Sequence, residues 1–199
     1  MRASLFIVFF FSAGIFCGYY SLLPSAMNDS ALSIYALNLL LFLVGIGIGS
    51  NNTAWDMIKK NNAGILLVPL SVIVGTLLGA ALLSFWLTGI TLRDSLAVVS
   101  GFGYYSLSSI IITRLEGEAL GVLALLSNIF REISTLLLTP LLVKYFGHLA
   151  PIASGGATSM DTTLPVIIRF TGKEYGIISI FSGIVLTLVA PFLITFILA

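Results

Sequence analysis

The chain has 199 residues, of which 58% are hydrophobic and 9% charged, with a net charge of +1, and its mean hydropathy is +1.12. A soluble domain carries about 25% charged residues and a nucleic-acid binder carries a basic patch, so both classes are excluded and an integral membrane protein is indicated. The single cysteine, Cys17, rules out an internal disulfide and a cysteine-based metal cluster.

About 20 apolar residues cross a bilayer as a helix, which makes the expected architecture all-α and leaves almost nothing for a soluble domain. Residues 5–23 form the first apolar segment, ended by Pro24. Arg2 followed by apolar residues mimics a signal sequence, but no small-residue cleavage site with a soluble region follows, so the segment reads as an anchor. Residues 31–49 form the second, where Gly45, Gly47 and Gly49 let another backbone approach closely. A polar loop with Asp56, Lys59 and Lys60 leads to the third segment, residues 63–87, with Gly75-x-x-x-Gly79 as a packing face. Residues 1–87 therefore read as a three-helix unit, and 95–199 as a transport unit.

Residues 95–113 are less regular. Ser100-Gly101-Phe102-Gly103-Tyr104-Tyr105-Ser106-Leu107-Ser108-Ser109 places glycines and hydroxyls in the middle of an apolar stretch. Non-helical backbone at membrane depth is tolerated only inside protein or beside a wet cavity, so a re-entrant hairpin or a broken helix is expected. Residues 120–146 form the next span and carry charge at mid-length. On a helix Asn128, Glu132, Thr135 and Thr139 share one stripe, with Ser127, Arg131 and Ser134 beside it. Leu126, Phe130, Ile133 and Leu137 lie opposite. Residues 150–170 are the second irregular stretch and 176–198 the last span. A shift of 54 residues aligns Ser100-Gly101 with Ser154-Gly155, and Ser108-Ser109-Ile110 with Thr162-Thr163-Leu164, the kind of weak repeat that marks paired broken helices in secondary transporters.

The expected architecture is five transmembrane helices with two glycine-rich hairpins entering from opposite faces and meeting near the midplane; seven full spans is the alternative. With the hairpins re-entrant, Arg2, Lys59, Lys60, Lys144, Arg169 and Lys173 fall on one side and Arg93 and Arg114 on the other. With seven spans, Lys144 and Arg114 exchange sides and the tally is unchanged. Either way the positive-inside rule places the N-terminus in the cytoplasm and the C-terminus outside, in a plasma membrane.

Ionisable groups at membrane depth are costly and mark function. Glu132 is the candidate coupling group, because burial disfavours a charged carboxyl and suits it to exchanging a proton or pairing with a cation. Its structural alternative is an ion pair with Arg131, although helix neighbours point about 100° apart. Asp161, between Gly155-Gly156 and Pro165, is the second carboxylate; its alternative is a helix N-cap. Arg131 is expected to neutralise Asp161 across the bundle, and Asn128 belongs to the same polar side. Ser106, Ser108, Ser109, Tyr105, Thr158, Ser159, Thr162 and Thr163 are candidate substrate-lining residues, against hydrogen bonding to local backbone. His148 reads as interfacial. No H-E-x-x-H, G-x-S-x-G or phosphate-cradling loop is present, so no enzyme is expected, and no cofactor beyond a coupling proton or sodium ion. A holin-like pore or a carrier for another small charged solute is the competing reading.

Residues 41–46, Ser100-Gly101-Phe102-Gly103-Tyr104-Tyr105-Ser106-Leu107-Ser108, Arg131-Glu132 and Gly156-Ala157-Thr158-Ser159-Met160-Asp161-x-Thr163-Leu164-Pro165 together resemble the LysO-type lysine exporter family. The resemblance runs over nearly the whole chain. It implies export of L-lysine and close analogues from the cytoplasm, exchanged against protons, and it places Glu132 among the family's intramembrane acids by the Arg-Glu motif. Longer members carry about three further N-terminal spans with their own acid. The resemblance thus implies half of an inverted-repeat architecture, completed by a homodimer or a separate small membrane subunit.

Overall fold

The computed structural model describes residues 63–86 and 89–199 and, of the remainder, 13, 16–20, 35, 39, 42 and 46. The first two expected segments, Gly45, Gly47, Gly49, and Lys59 and Lys60 otherwise lie outside the described residues. The chain divides into two compact units, Met1–Gly45 and Ile46–Ala199. In the first, residues 16–19 are helical, as are Tyr35, Leu39 and Phe42. Those last three recur at helical spacing and are exposed, an apolar stripe suited to lipid.

The second unit is all helix in its described residues: α1 Leu67–Ser84, α2 Leu92–Val99, α3 Tyr105–Glu116, α4 Glu118–Phe146, α5 Ala150–Gly155, α6 Leu164–Thr171 and α7 Lys173–Leu198. A 3-10 turn, Gly156–Met160, follows α5. Three of these, α1, α4 and α7, are long and apolar enough to cross a membrane; at 1.5 Å per residue α4 extends about 43 Å. Each presents a lipid-type stripe. On α4 it is Leu126, Phe130, Ile133 and Leu137, with Phe130 73% exposed, opposite Gly121, Ala124, Asn128, Thr135 and Thr139. On α1 it is Leu67, Leu70, Val74, Leu78 and Leu82, opposite Pro69, Val72 and Ala80. The chain is an all-α integral membrane protein.

The two irregular stretches are helical hairpins. In the first, α2 and α3 (hairpin 1), the ends come together: Arg93 pairs with Glu116 at 2.9 Å. Arg93 Nε also donates to Ile197 O at 3.1 Å and its Nη2 to Leu198 O, which places both ends beside the C-terminus of α7. A capping box of Thr91 and Asp94 starts α2. In the second, α5 to α6 (hairpin 2), the ends also meet: His148, just before α5, stacks on Tyr175 at the start of α7, with ring centroids 5.0 Å apart. Glycine elbows at positive φ, Gly117 and Gly172, turn each hairpin into the long helix that follows. The hairpins thus approach from opposite ends of the bundle. They fill the space between α4 and α7, which make no extensive contact with each other.

Their tips meet. Ala157 N donates to Phe102 O at 2.8 Å, and Phe102 and Ala157 share a buried cluster with Val72 of α1 and Leu186 and Ala190 of α7. The 54-residue shift superposes Phe102 on Gly156, and both have positive φ, 48° and 61°. Phe102 is the one non-glycine residue of that kind among those described. The expected packing at Gly75 and Gly79 is not made by described residues: a Cβ at either would meet nothing within 4 Å.

Candidate functional site

Each break in a helix frees backbone groups that lipid cannot satisfy, and α4 supplies what is missing. In hairpin 1, Phe102 N turns to Val99 O at 3.0 Å, which leaves Gly103 N and Val98 O without helical partners. Asn128 takes both, accepting from Gly103 N at 2.7 Å and donating to Val98 O at 3.3 Å. It also donates to Ala124 O at 2.8 Å and Ser108 Oγ at 3.3 Å, and is 3% exposed. In hairpin 2, Ala157 N is diverted to Phe102 O, which leaves Ala153 O open. Arg131 fills that vacancy and the next, with Nη2 donating to Ala153 O at 3.0 Å and Nε to Ser154 O at 2.8 Å. Its Nη1 also reaches Thr76 Oγ1 on α1 at 3.4 Å. Thr135, fully buried, bonds Ser154 Oγ at 2.7 Å.

The expected pairing of Arg131 with Asp161 is therefore not made. The guanidinium is directed at carbonyls at the C-terminal end of α5, where a cation is favoured by the helix dipole, and the ion pair found among the described residues is Arg93 with Glu116.

The acids gather elsewhere. Glu132, half-buried on α4, faces the Thr162 side chain, near Asp161. Asp161 is exposed and accepts from Thr162 N and from Thr162 Oγ1, the latter at 3.2 Å. Half-buried Tyr105 lies near both acids, and Tyr104 near Asp161. Glu132, Asp161, Thr162, Tyr104 and Tyr105 thus form one polar cluster of α4 and the two hairpins.

Other residues singled out from the sequence serve the hairpins themselves. Ser108 donates to Tyr104 O at 3.0 Å, Thr158 to Gly155 O at 2.9 Å and Thr163 to Thr158 O at 3.0 Å. Ser159 donates to Gly156 O at 2.6 Å, and exchanges bonds with Ser179 of α7, at 3.0 and 2.8 Å. All four are buried. Ser106 and Ser109 are partly buried. Thr76, Phe102, Ser179 and the Arg93–Glu116 pair went unnoticed in the sequence. Phe102 alone left a trace there, since the internal repeat sets it against Gly156.

Broken helices in pairs, packed among spanning helices with one acid on a hairpin and one on α4, define a multi-pass membrane protein with polar groups inside its helical bundle. The family profile described as lysine exporter LysO matches residues 8–198, and the chain belongs to that family. It is 38% identical over 164 residues to the lysine exporter LysO of Escherichia coli K12, an alignment covering 82% of this chain and 54% of that protein. It is 34% identical over 164 residues to a putative lysine exporter of Haemophilus influenzae Rd, covering 82% and 83%. The chain thus spans about half the length of the E. coli relative. No solved structure matches it.

Proposed function

We propose that this protein carries L-lysine and close analogues out of the cytoplasm in exchange for protons, with Glu132 and Asp161 as the groups that alternately hold the two. The observation that carries this reading is the clustering of two carboxylates beside two tyrosines at the hairpins, while Arg131 is engaged by backbone. With no cation among the described residues paired to them, the acids present negative charge to an ammonium group. The names of the relatives point to the same substrate. A carboxylate cannot bind a proton and an ammonium at once, so sharing one site between them makes exchange obligatory. Tyr105 and Thr162 supply hydroxyls, and Ser106 and Ser109 lie on the first turns of α3.

In this reading the hairpins are re-entrant. The end of the bundle with Lys144, Arg169 and Lys173 faces the cytoplasm, and the end with Arg93 and Arg114 faces outward. Asp161 is exposed among the described residues, and a second copy of the chain or a small membrane subunit is the proposed cover of the site.

Lysine counterflow in proteoliposomes tests the proposal. Trans-stimulated, saturable uptake is expected, driven by an imposed pH gradient and not by sodium. A charge-assisted hydrogen bond is worth about 1.5–3 kcal/mol, so Glu132→Gln or Asp161→Asn should reduce lysine affinity about 10- to 100-fold. A sodium requirement would replace the proton as coupling ion. Leak that does not saturate and ignores both substitutions would make the protein a pore.

A further inference from the structure

Asn128 and Arg131 stand three residues apart on one side of α4, just before Glu132, yet they serve different hairpins. The hairpin contacts of Asn128 all fall on hairpin 1: Val98 O, Gly103 N and Ser108 Oγ. Those of Arg131 fall on hairpin 2, at Ala153 O and Ser154 O. Between the two tips the described residues make one backbone hydrogen bond, Ala157 N to Phe102 O. The chemistry of each clamp matches the break it repairs. Hairpin 1 lacks one donor and one acceptor, which an amide supplies together. Hairpin 2 lacks donors to two adjacent carbonyls, which the planar fork of a guanidinium meets at once and a lysine ammonium does not reproduce.

We infer that Asn128 and Arg131 are independent positioning residues, each seating one hairpin on α4, so that either hairpin is released from α4 while the other stays in place. Glu132 is anchored to α4 and Asp161 rides on hairpin 2, so Arg131 sets the separation of the two acids without touching the cargo. The clamps follow from backbone geometry alone and stand whatever solute the protein moves.

The test uses the full chain carrying Cys17→Ser, with one of two buried reporters: Ser100→Cys in hairpin 1 or Thr163→Cys in hairpin 2, both at fully buried positions. Maleimide labelling rates are then measured in membranes. Removing either clamp loses at least two hydrogen bonds and leaves buried backbone groups unsatisfied, which should raise local opening about 10- to 100-fold. Arg131→Gln is expected to speed Thr163→Cys by that factor and leave Ser100→Cys unchanged, and Asn128→Ala should do the reverse. Arg131→Lys should fall between Arg131→Gln and wild type; if Arg131→Gln does not fold, this milder variant gives the same comparison. Both reporters speeding together, or neither responding, would overturn the inference. No transport is needed for the readout, so a failed lysine assay and a failed clamp are told apart.

Discussion

At Gly156 a single hydrogen atom decides whether the two hairpins can touch. Its φ is +61°, and a Cβ there would lie 2.2 Å from Phe102 O, a backbone atom that no rotamer change removes. A backbone held at this positive φ with ψ −123° costs a non-glycine residue on the order of 1–3 kcal/mol, and overpacking about 1–3 kcal/mol more. Gly156→Ala is therefore expected to break the Ala157–Phe102 bond and lower the melting temperature in detergent clearly. Gly121→Ala meets side chain first, with Thr113 Oγ1 at 1.7 Å and Thr113 Cβ at 2.9 Å. Its loss should be partly recovered by Thr113→Ala, a rescue that Gly156→Ala does not allow. The carboxylates were legible in the sequence because charge inside an apolar run has no cheap structural explanation. The role of Arg131 was not legible. Its partners are main-chain carbonyls 22 and 23 residues away, and every residue has a carbonyl, so no residue type in the sequence marks them.

Hairpins were expected at residues 95–113 and 150–170 from glycines and hydroxyls in apolar sequence, and the helices there do break, at residues 100–104 and 156–163. The sequence did not reveal how they are fastened. Hairpin 1 is closed by Arg93, whose pair with Glu116 is 47% and 29% exposed at the two side chains. Exposed pairs contribute about 0.2–1 kcal/mol, whereas hydrogen bonds to a charged donor contribute about 1.5–3 kcal/mol. Arg93 also makes two of these to α7. Glu116→Gln should thus shift unfolding little, and Arg93→Gln by about 2 kcal/mol or more; equal effects in a thermal melt would mean that the ion pair, not the carbonyl cap, does the fastening. The glycine pair of α1 teaches the reverse lesson. Gly75-x-x-x-Gly79 is a motif for close helix approach, yet described residues leave both glycines open. Spacing shows that a face can be packed and says nothing about which face is chosen.

At the scale of the molecule, the two hairpin-and-long-helix modules run in opposite senses between α4 and α7. This arrangement makes a labelling prediction that separates the two topologies. Arg93→Cys and Glu116→Cys, each in Cys17→Ser protein, should react with an impermeant maleimide from the same side, and Lys173→Cys from the other. A chain in which 95–113 crosses fully would put Arg93 and Glu116 on opposite sides. The charge distribution could not make this distinction, because both topologies divide the lysines and arginines other than Arg131 six to two.

Class, helical architecture and family were all determined by the sequence. Hydropathy is a sum over residues and needs no partner, and the motifs around Ser100, Glu132 and Asp161 are contiguous. The tertiary structure alone decided which polar groups are taken up by backbone and which are not. Asn128, Arg131, Ser108 and Thr163 resemble Glu132 and Asp161 when read along the chain. Asn128 and Arg131 are drawn into repairing broken helices, because lipid offers backbone groups no other partner. Ser108 and Thr163 bond carbonyls of their own hairpins, while among the described residues the two acids make no bond of either kind to a broken helix end.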